Sequence, residues 1–250
     1  MAVNISVCMA ARNGANFIRE QIASILPQLS DQDELVIVDD ASQDDTTAIV
    51  ESFRDPRIRM IHQESNLGVV RSFARALQES RGDIIFLSDH DDIWRPDKVQ
   101  KFLQIFREHP EVTVAVSDLV IVDAVGNIVS EPRFRNESFH PGIVANLIRN
   151  RYQGSAMALR RSLLAYCLPF PAGIPIHDQW IGLVNQLVGH AKFIAEPLLL
   201  YRRHGANDSP STHAPFGTML RWRWNVAKSL AGLYLRNLVG RRRRGAPDKT

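Results

Sequence analysis

Residues Gly82–Trp94 read GDIIFLSDHDDIW. The apolar run from Ile84 to Leu87 ends abruptly in Ser88 and then Asp89, His90, Asp91 and Asp92. A short apolar run without alternation, bounded by Gly82 and by acids, is the pattern of a strand covered on both faces, as in a parallel sheet. Three carboxylates within four residues repel one another, so the set is costly unless a cation neutralises it. Oxygen ligands favour Mg²⁺ or Mn²⁺, and Mg²⁺ characteristically takes one or two carboxylates plus substrate phosphates. An Asp-x-Asp at the carboxyl end of a buried strand therefore reads as a metal–diphosphate site. The same pattern taken alone is also that of an acidic, solvated turn.

The segments on either side decide the architecture. Val3–Met9 (VNISVCM) reads as a first buried strand broken by Arg12, Asn13 and Gly14, and Asn16–Leu29 carries apolar residues at helical spacing. Glu34–Val38 (ELVIV) is a β-branched second strand ending in Asp39 and Asp40, and Ser42–Thr46 (SQDDT) has the form of a helix start with a Ser cap. Ile58–Ile61 is a third strand, the stretch from Asn66 to Leu77 a helix, Asp83–Ser88 the fourth strand, Pro96–His109 a helix and Thr113–Val116 a fifth strand. Repeated strand–helix units predict an α/β protein with a mostly parallel, doubly wound sheet and right-handed crossovers. Ligands of such sheets sit beyond the carboxyl ends of the strands. That rule singles out the loops bearing Arg12 and Asn13, Asp39 and Asp40, and Asp89–Asp92.

Beyond residue 118 the pattern is less regular. Val120–Val129 reads as a hairpin-like excursion around Gly126 and Asn127, residues 131–142 as a polar loop, Gly154–Leu159 as a strand and Ile176–Val188 as a helix opening on His177 and Asp178. Lys192–Ile194 and Leu198–Tyr201 read as two short strands. The chain has 250 residues, 45% hydrophobic and 23% charged, which excludes global disorder and leaves room for a large core. Cys8 and Cys167 form no CxxC pair, so they read as free, buried thiols rather than a disulfide or zinc staple. The first residues have neither a basic n-region nor a long apolar h-region, which points away from secretion.

Several segments in order resemble family 2 glycosyltransferases of the GT-A fold: ISVCMAARNG, ELVIVDDASQDDT, NLGVVRSFARAL, GDIIFLSDHDDIWRPDKV, then GSAMALRRSLL, IHDQWIGLVNQLVG and EPLLLYRRHGAND. The resemblance covers roughly residues 3–208, and its LSD-x-DDIW, HD-x-W and YR-x-HG forms further resemble bacterial rhamnosyltransferase-like members. It implies residues 1–118 as the nucleotide-sugar-binding half and 119–210 as the acceptor half of one GT-A domain. It implies an inverting, metal-dependent transfer of sugar from a nucleotide-diphosphate donor, with dTDP-rhamnose and UDP-sugars as candidates, to a saccharide or lipid-linked acceptor.

By the same resemblance Ala10, Arg12, Asp40, Arg71, Asp89 and His90 would contact the nucleotide-sugar, with Asp40 accepting from the base and Arg12 standing where relatives carry an aromatic residue. Asp89, Asp91 and His204 would hold Mn²⁺ or Mg²⁺. Asp178 would be the catalytic base, or would cap its helix, or both. Gly154, His177 and Trp180 would line the acceptor, with His177 replacing a frequent Glu and with core packing as the other reading of Trp180. Asp39 reads as a capping or supporting acid, and Arg202 and Arg203 as phosphate contacts or solvent-facing charges.

Formal net charge is +3, unevenly spread. Met219–Thr250 holds nine basic residues and one acid, a net +8, leaving Met1–Thr218 at −5. With Trp222, Trp224, Leu230, Leu233, Tyr234 and Leu235 interleaved among cations, residues 211–250 read as a basic amphipathic tail lying on an anionic membrane surface. The plainer reading is a C-terminal helix packed on the body. Nucleic acid is a poorer partner, because no recognised nucleic-acid fold accompanies the Arg241–Arg244 run. The expected location is the inner face of the cell membrane, as a peripheral protein. Two other classes fit parts of the pattern: a sugar-phosphate nucleotidyltransferase, for which ARNGAN is a weak Gly-rich loop, and a membrane-bound binding protein on a retired transferase fold.

Overall fold

The computed structural model describes residues 3–133, 142–148, 150–205 and 215–244. In the first part, β1 (Ile5–Ala11), β2 (Glu34–Asp39), β3 (Ile58–His62) and β4 (Ile84–Asp89) alternate with α1 (Ile18–Ile25), α2 (Thr46–Glu51) and α3 (Val69–Glu79). Then come β5 (Ile93–Trp94), α4 (Lys98–Glu108), β6 (Val112–Val122), α5 (Ile143–Ile148), β7 (Met157–Arg160), α6 (Leu164–Cys167), α7 (His177–Val188), β8 (His190–Arg202) and α8 (Phe216–Arg244).

One eight-stranded sheet runs in the order β3-β2-β1-β4-β7-β6-β8-β5. β3, β2, β1 and β4 are parallel neighbours, and so are β6 and β8, whereas β7 inserts antiparallel between β4 and β6. The in-register partners Ala11–Asp39 and Ala10–Asp89 bring the carboxyl ends of β1, β2 and β4 to one edge. Every residue of β1 is buried, as are Leu35–Val38 and Ile84–Leu87, because helices cover both faces of the sheet. Residue 118, the expected limit of the first half, falls inside β6, so the two halves share one sheet and one core.

Several expected elements differ. The two short strands after residue 190 are one strand, β8, of 13 residues. Its pairing with β6 shifts register at Ser117/Asp118 and Asp118/Leu119, and this irregularity accommodates Glu196 and Pro197, which interrupt the apolar pattern. The excursion around Gly126 is shorter than expected: Val122 bridges Ile128, and Gly126 has φ 95, while β6 absorbs residues 112–122. Ser42 does not cap α2. The Asp44 carboxylate accepts the Thr46 N–H at 3.0 Å, and the Ser42 hydroxyl accepts the Asn13 N–H at 3.0 Å. Most of the polar loop expected over residues 131–142 lies outside the described residues. Cys8 and Cys167 are free and buried, and burial pushes the Cys8 thiol up to about 12.

Candidate active site

The site begins with the loops at the carboxyl edge of the sheet. Asn13, at φ 47, ties the loop after β1 to the loop after β2: its N–H donates to Ser42, and its Oδ1 accepts the Gln43 N–H at 2.8 Å. Gly14 is required beside it, because a Cβ there would lie 2.3 Å from His90 Cδ2. His90 in turn lies with Nδ1 3.3 Å from the Ala10 carbonyl, on the partner strand of β4. The side chains of Arg12 and Arg71 are exposed, one after β1 and the other in the first turn of α3.

Asp39 and Asp40 point to different tasks. Asp40 accepts the N–H groups of Leu67 and Gly68 at 2.7 and 2.8 Å, and Gln63 Nε2 at 3.1 Å. Both of its oxygens are engaged in holding the entrance to α3. Gly68 itself needs its φ of 86 there. Asp39 is equally buried, yet its Oδ1 has no hydrogen-bond partner. Asp40 thus anchors the loop that leads into α3, whereas Asp39 beside it keeps one oxygen without a hydrogen-bond partner.

The acids after β4 form the electrostatic centre. Burial, then Asp92, Asp91 and Asp178, raise the Asp89 carboxyl well above its ordinary range. Burial and then Asp91 push Asp92 up to about 7. Asp92 is 1% exposed; its Oδ1 accepts the Arg202 N–H at 2.9 Å, whereas its Oδ2 has no partner. Asp91 Oδ2 lies 3.0 Å from His204 Nε2, and the His204 ring stacks on Phe17 with centroids 4.4 Å apart. Among the described residues no three His, Cys, Asp or Glu side chains converge as a ready ligand set. Asp91 and His204 form a two-point site, and an Mg²⁺ or Mn²⁺ ion there would complete its shell with substrate phosphate oxygens.

Arg202 is not a phosphate ligand. It is 2% exposed, donates from Nε to the Asp91 carbonyl at 2.9 Å and from Nη1 to the Ala124 carbonyl at 2.8 Å, and pairs with Glu20 at 2.5 Å. It fixes the backbone of the acidic loop. Arg203 is exposed beside Tyr201.

Lys98 was not anticipated. It is fully buried, donates from Nζ to the Ser155 carbonyl at 2.6 Å, and lies 4.3 Å from the Trp94 ring centroid. Burial brings its ammonium down to about 7, against the opposing attraction of Asp92 and Asp89. A signal existed in the sequence: Lys98 occupies the i, i+4, i+8 stripe of Phe102 and Phe106, an apolar face where a lysine needs a buried partner.

Asp178 opens α7. Its Oδ1 accepts Asn150 Nδ2 at 2.8 Å and the Gln179 N–H at 2.6 Å, and its Oδ2 accepts the Gly154 N–H at 2.9 Å. Burial pushes it up to about 6 despite these three donors. Gly154 gives a close approach, since a Cβ would stand 3.1 Å from His177 Nε2 and 3.3 Å from Asp178 Cβ. His177 is buried, stacks on Phe73 at 3.8 Å, and has no partner at either ring nitrogen; burial lowers it to about 3, so it is neutral at ordinary pH. Trp180 does not line an acceptor surface. Its ring is buried in the core and its Nε1 donates to the Cys167 carbonyl at 3.0 Å.

The edge thus combines an acid-rich, cation-seeking loop with a buried carboxylate on a helix N-terminus across the Gly154 turn. The sequence profile described as "Glycosyl transferase family 2" matches residues 6–166, more than half of the chain. The succinoglycan biosynthesis protein ExoO of Rhizobium meliloti is 32% identical over 213 residues, covering 80% of this chain and 60% of that protein. The chain spans 74% of one curated glycosyltransferase relative and 59% of others. Among solved structures, Staphylococcus aureus TarS in complex with UDP-GlcNAc has a TM-score of 0.74 at 18% identity, covering 90% of this chain and 66% of that one. The mannosyltransferase PcManGT from Pyrobaculum calidifontis, in complex with GDP-Man and Mn²⁺, has a TM-score of 0.61 at 18% identity, covering 98% and 77%. With the profile matched through β1, β4 and the Gly154 turn and the fold shared with these transferases, the chain belongs to glycosyl transferase family 2 and has a GT-A fold.

Proposed function

We propose that this chain is an inverting, metal-dependent glycosyltransferase that moves a sugar from a nucleoside-diphosphate donor to a hydroxyl of a saccharide or lipid-linked acceptor. The product would be a cell-surface glycan precursor, made at the inner membrane face. Residues 1–118 carry the donor and 119–210 the acceptor. The observation that carries this reading is Asp178: three donors hold its carboxylate in a fixed direction, and burial tunes it to about 6, the range in which a base is both ionised and able to take a proton.

Asp178 takes the proton of the acceptor hydroxyl as its oxygen bonds to the anomeric carbon. The bond from that carbon to the diphosphate oxygen breaks on the opposite side, so configuration inverts and the nucleoside diphosphate leaves. Asp91 and His204, with Asp89 nearby, would hold a divalent cation, which would supply positive charge to the leaving diphosphate. Asp92 and Lys98 keep that loop and the Gly154 turn in register. Asp39, through its unpartnered Oδ1, accepts the imide N–H of uracil or thymine, while Asp40 shapes the loop beside it. Ala10 and His90 border the nucleotide, and Arg12 and Arg71 reach it from solvent. His177 and Gly154 face the acceptor. UDP-sugars and dTDP-rhamnose are the donor candidates.

The test is thermal stability with UDP, dTDP and GDP, each with and without Mn²⁺, followed by donor turnover. A ligand at 100 times its Kd stabilises by about 2.7 kcal/mol. Metal-dependent stabilisation by one pyrimidine nucleotide is expected. Stabilisation that ignores metal would sink the Asp91–His204 assignment, and tight donor binding with no transfer to any acceptor would favour a retired transferase.

A further inference from the structure

Among its described side chains, the C-terminal helix has two apolar stripes, one buried against the body and one exposed. Val226, Leu230 and Leu233, spaced four and three apart, are buried against the body. Leu220, Trp224, Tyr234 and Leu235 are exposed, Trp224 by 69%. On a helix of 3.6 residues per turn, Leu220, Trp224 and Leu235 fall on one line well away from the buried stripe.

α5 extends this second stripe. Val144 and Ile148 are 69% and 61% exposed. Arg223 Nη2 donates to the Ile148 carbonyl at 2.9 Å and joins the two helices. Leu147, Leu220, Trp224 and Ala227 line an open groove between them, with Arg221 and Arg223 on its rim. Lys228 and Arg236 are exposed further along. Scattered exposed apolar residues need no explanation, but a contiguous patch rimmed by cations does.

We propose that the outer stripe of α8 together with α5 is a docking face for an anionic lipid surface, and that it seats the membrane one helix away from Asp178. The charge selects lipid over a second copy of this chain. An isologous dimer on this face would bring Arg221 and Arg223 of both copies into one interface, with no acid among the described residues lining the groove to offset them, whereas anionic headgroups neutralise them. The chemistry is that of an interfacial helix, with Trp and Leu in the headgroup boundary and cations beside them.

The link to the site is direct. The Asn146 carbonyl of α5 accepts Gln179 Nε2 at 2.6 Å, and Asn150, just past α5, donates to Asp178. A lipid-linked acceptor held in that surface would present its saccharide to Asp178. This placement rests on the proposed function, but docking does not, so the test measures docking alone.

The 250-residue chain is floated with vesicles of phosphatidylglycerol and phosphatidylcholine in equal parts, and separately with phosphatidylcholine alone. Co-flotation with the anionic vesicles, weakened by salt, is expected. Arg221→Gln should lower partitioning about fivefold. Leu220→Ser with Trp224→Ser should lower it further, with the Mn²⁺-dependent response to nucleotide intact. Equal partitioning of the double variant and wild type would overturn the face. A concentration-dependent dimer in sedimentation, abolished by the same double variant, would overturn it in favour of a second copy. Loss of nucleotide response in wild type, with flotation retained, would remove the proposed function and leave the docking face standing.

Discussion

On the donor side the acids stand at or just past the ends of neighbouring parallel strands, so strand register places them, and links such as Asn13 to Ser42 and His90 to Ala10, 29 and 80 residues apart, tie loops that the sheet has already brought together. On the acceptor side no strand register places the key carboxylate, which is aimed by hydrogen bonds to a loop and a turn. Asp178 is 28 residues from Asn150 and 24 from Gly154, and the Gly154 turn is held by Lys98, whose partner Ser155 is 57 residues away. The donor edge is thus a property of a parallel sheet, and it forms wherever β1, β2 and β4 come into register. The acceptor edge is a property of a few hydrogen bonds, so single substitutions there should act on turnover while leaving the donor edge whole.

The largest effect tests that separation. Asp178→Asn keeps the size of the side chain and removes its basicity. kcat should fall by about 10²- to 10⁴-fold, while the donor Kd from calorimetry stays unchanged. A comparable loss in donor affinity would mean that the two edges are one site. Lys98→Met comes next. It leaves the Ser155 carbonyl without its donor and loosens the turn that aims Asp178. A misplacement of about 1 Å can cost up to about a hundredfold in kcat, with little change in donor KM. Loss confined to KM would place Lys98 on the donor instead.

Asp39 and Asp40 sharpen the comparison within the donor side. In Asp39→Asn the amide oxygen stays with the Ser42 N–H and an NH₂ replaces the Oδ1 acceptor, so UDP binding should weaken by about tenfold, the equivalent of one hydrogen bond to a charged group, with Tm nearly unchanged. Asp40→Asn should do the reverse: its one amide oxygen cannot serve both the Leu67 and the Gly68 N–H, so Tm should fall while the choice among UDP, dTDP and GDP stays as it was. Exchanged outcomes would return the base contact to Asp40.

The same contrast explains what the sequence disclosed. β1, β2 and β4 are short apolar runs ending in polar loops, so their burial and the ligand-bearing edge follow from pattern alone. Asp178 was legible only through its resemblance to a family motif. The hydrogen bonds that hold it come from Asn150 and Gly154, and no local period announces them. Trp180 takes the core-packing reading of the two its sequence offers, and Arg202 takes neither of its two, for a related reason. Each looks like a ligand-binding residue by type, and each is consumed by a buried carbonyl: Cys167 for the indole, Asp91 and Ala124 for the guanidinium. β8 was divided because Pro197 breaks its pattern, and only the irregular pairing with β6 shows that the strand continues.

The smallest effect is a shift along the pH axis. Asp178 acts as a carboxylate, and burial raises its pKa to about 6, so the protonated, inactive form accumulates below that value. The logarithm of kcat/KM should rise with unit slope through acidic pH and level above about 6. Asn150 donates to the charged carboxylate and so favours ionisation. Asn150→Ala removes that donor, and the acid limb should move to higher pH by a fraction of a unit while the plateau rate falls only modestly. His177 cannot produce this limb, because burial holds it neutral down to about 3. A limb that stays in place in Asn150→Ala, or moves to lower pH, would assign it to Asp92 or to the donor phosphates, and the proton would then leave the acceptor by a route that does not pass through α7.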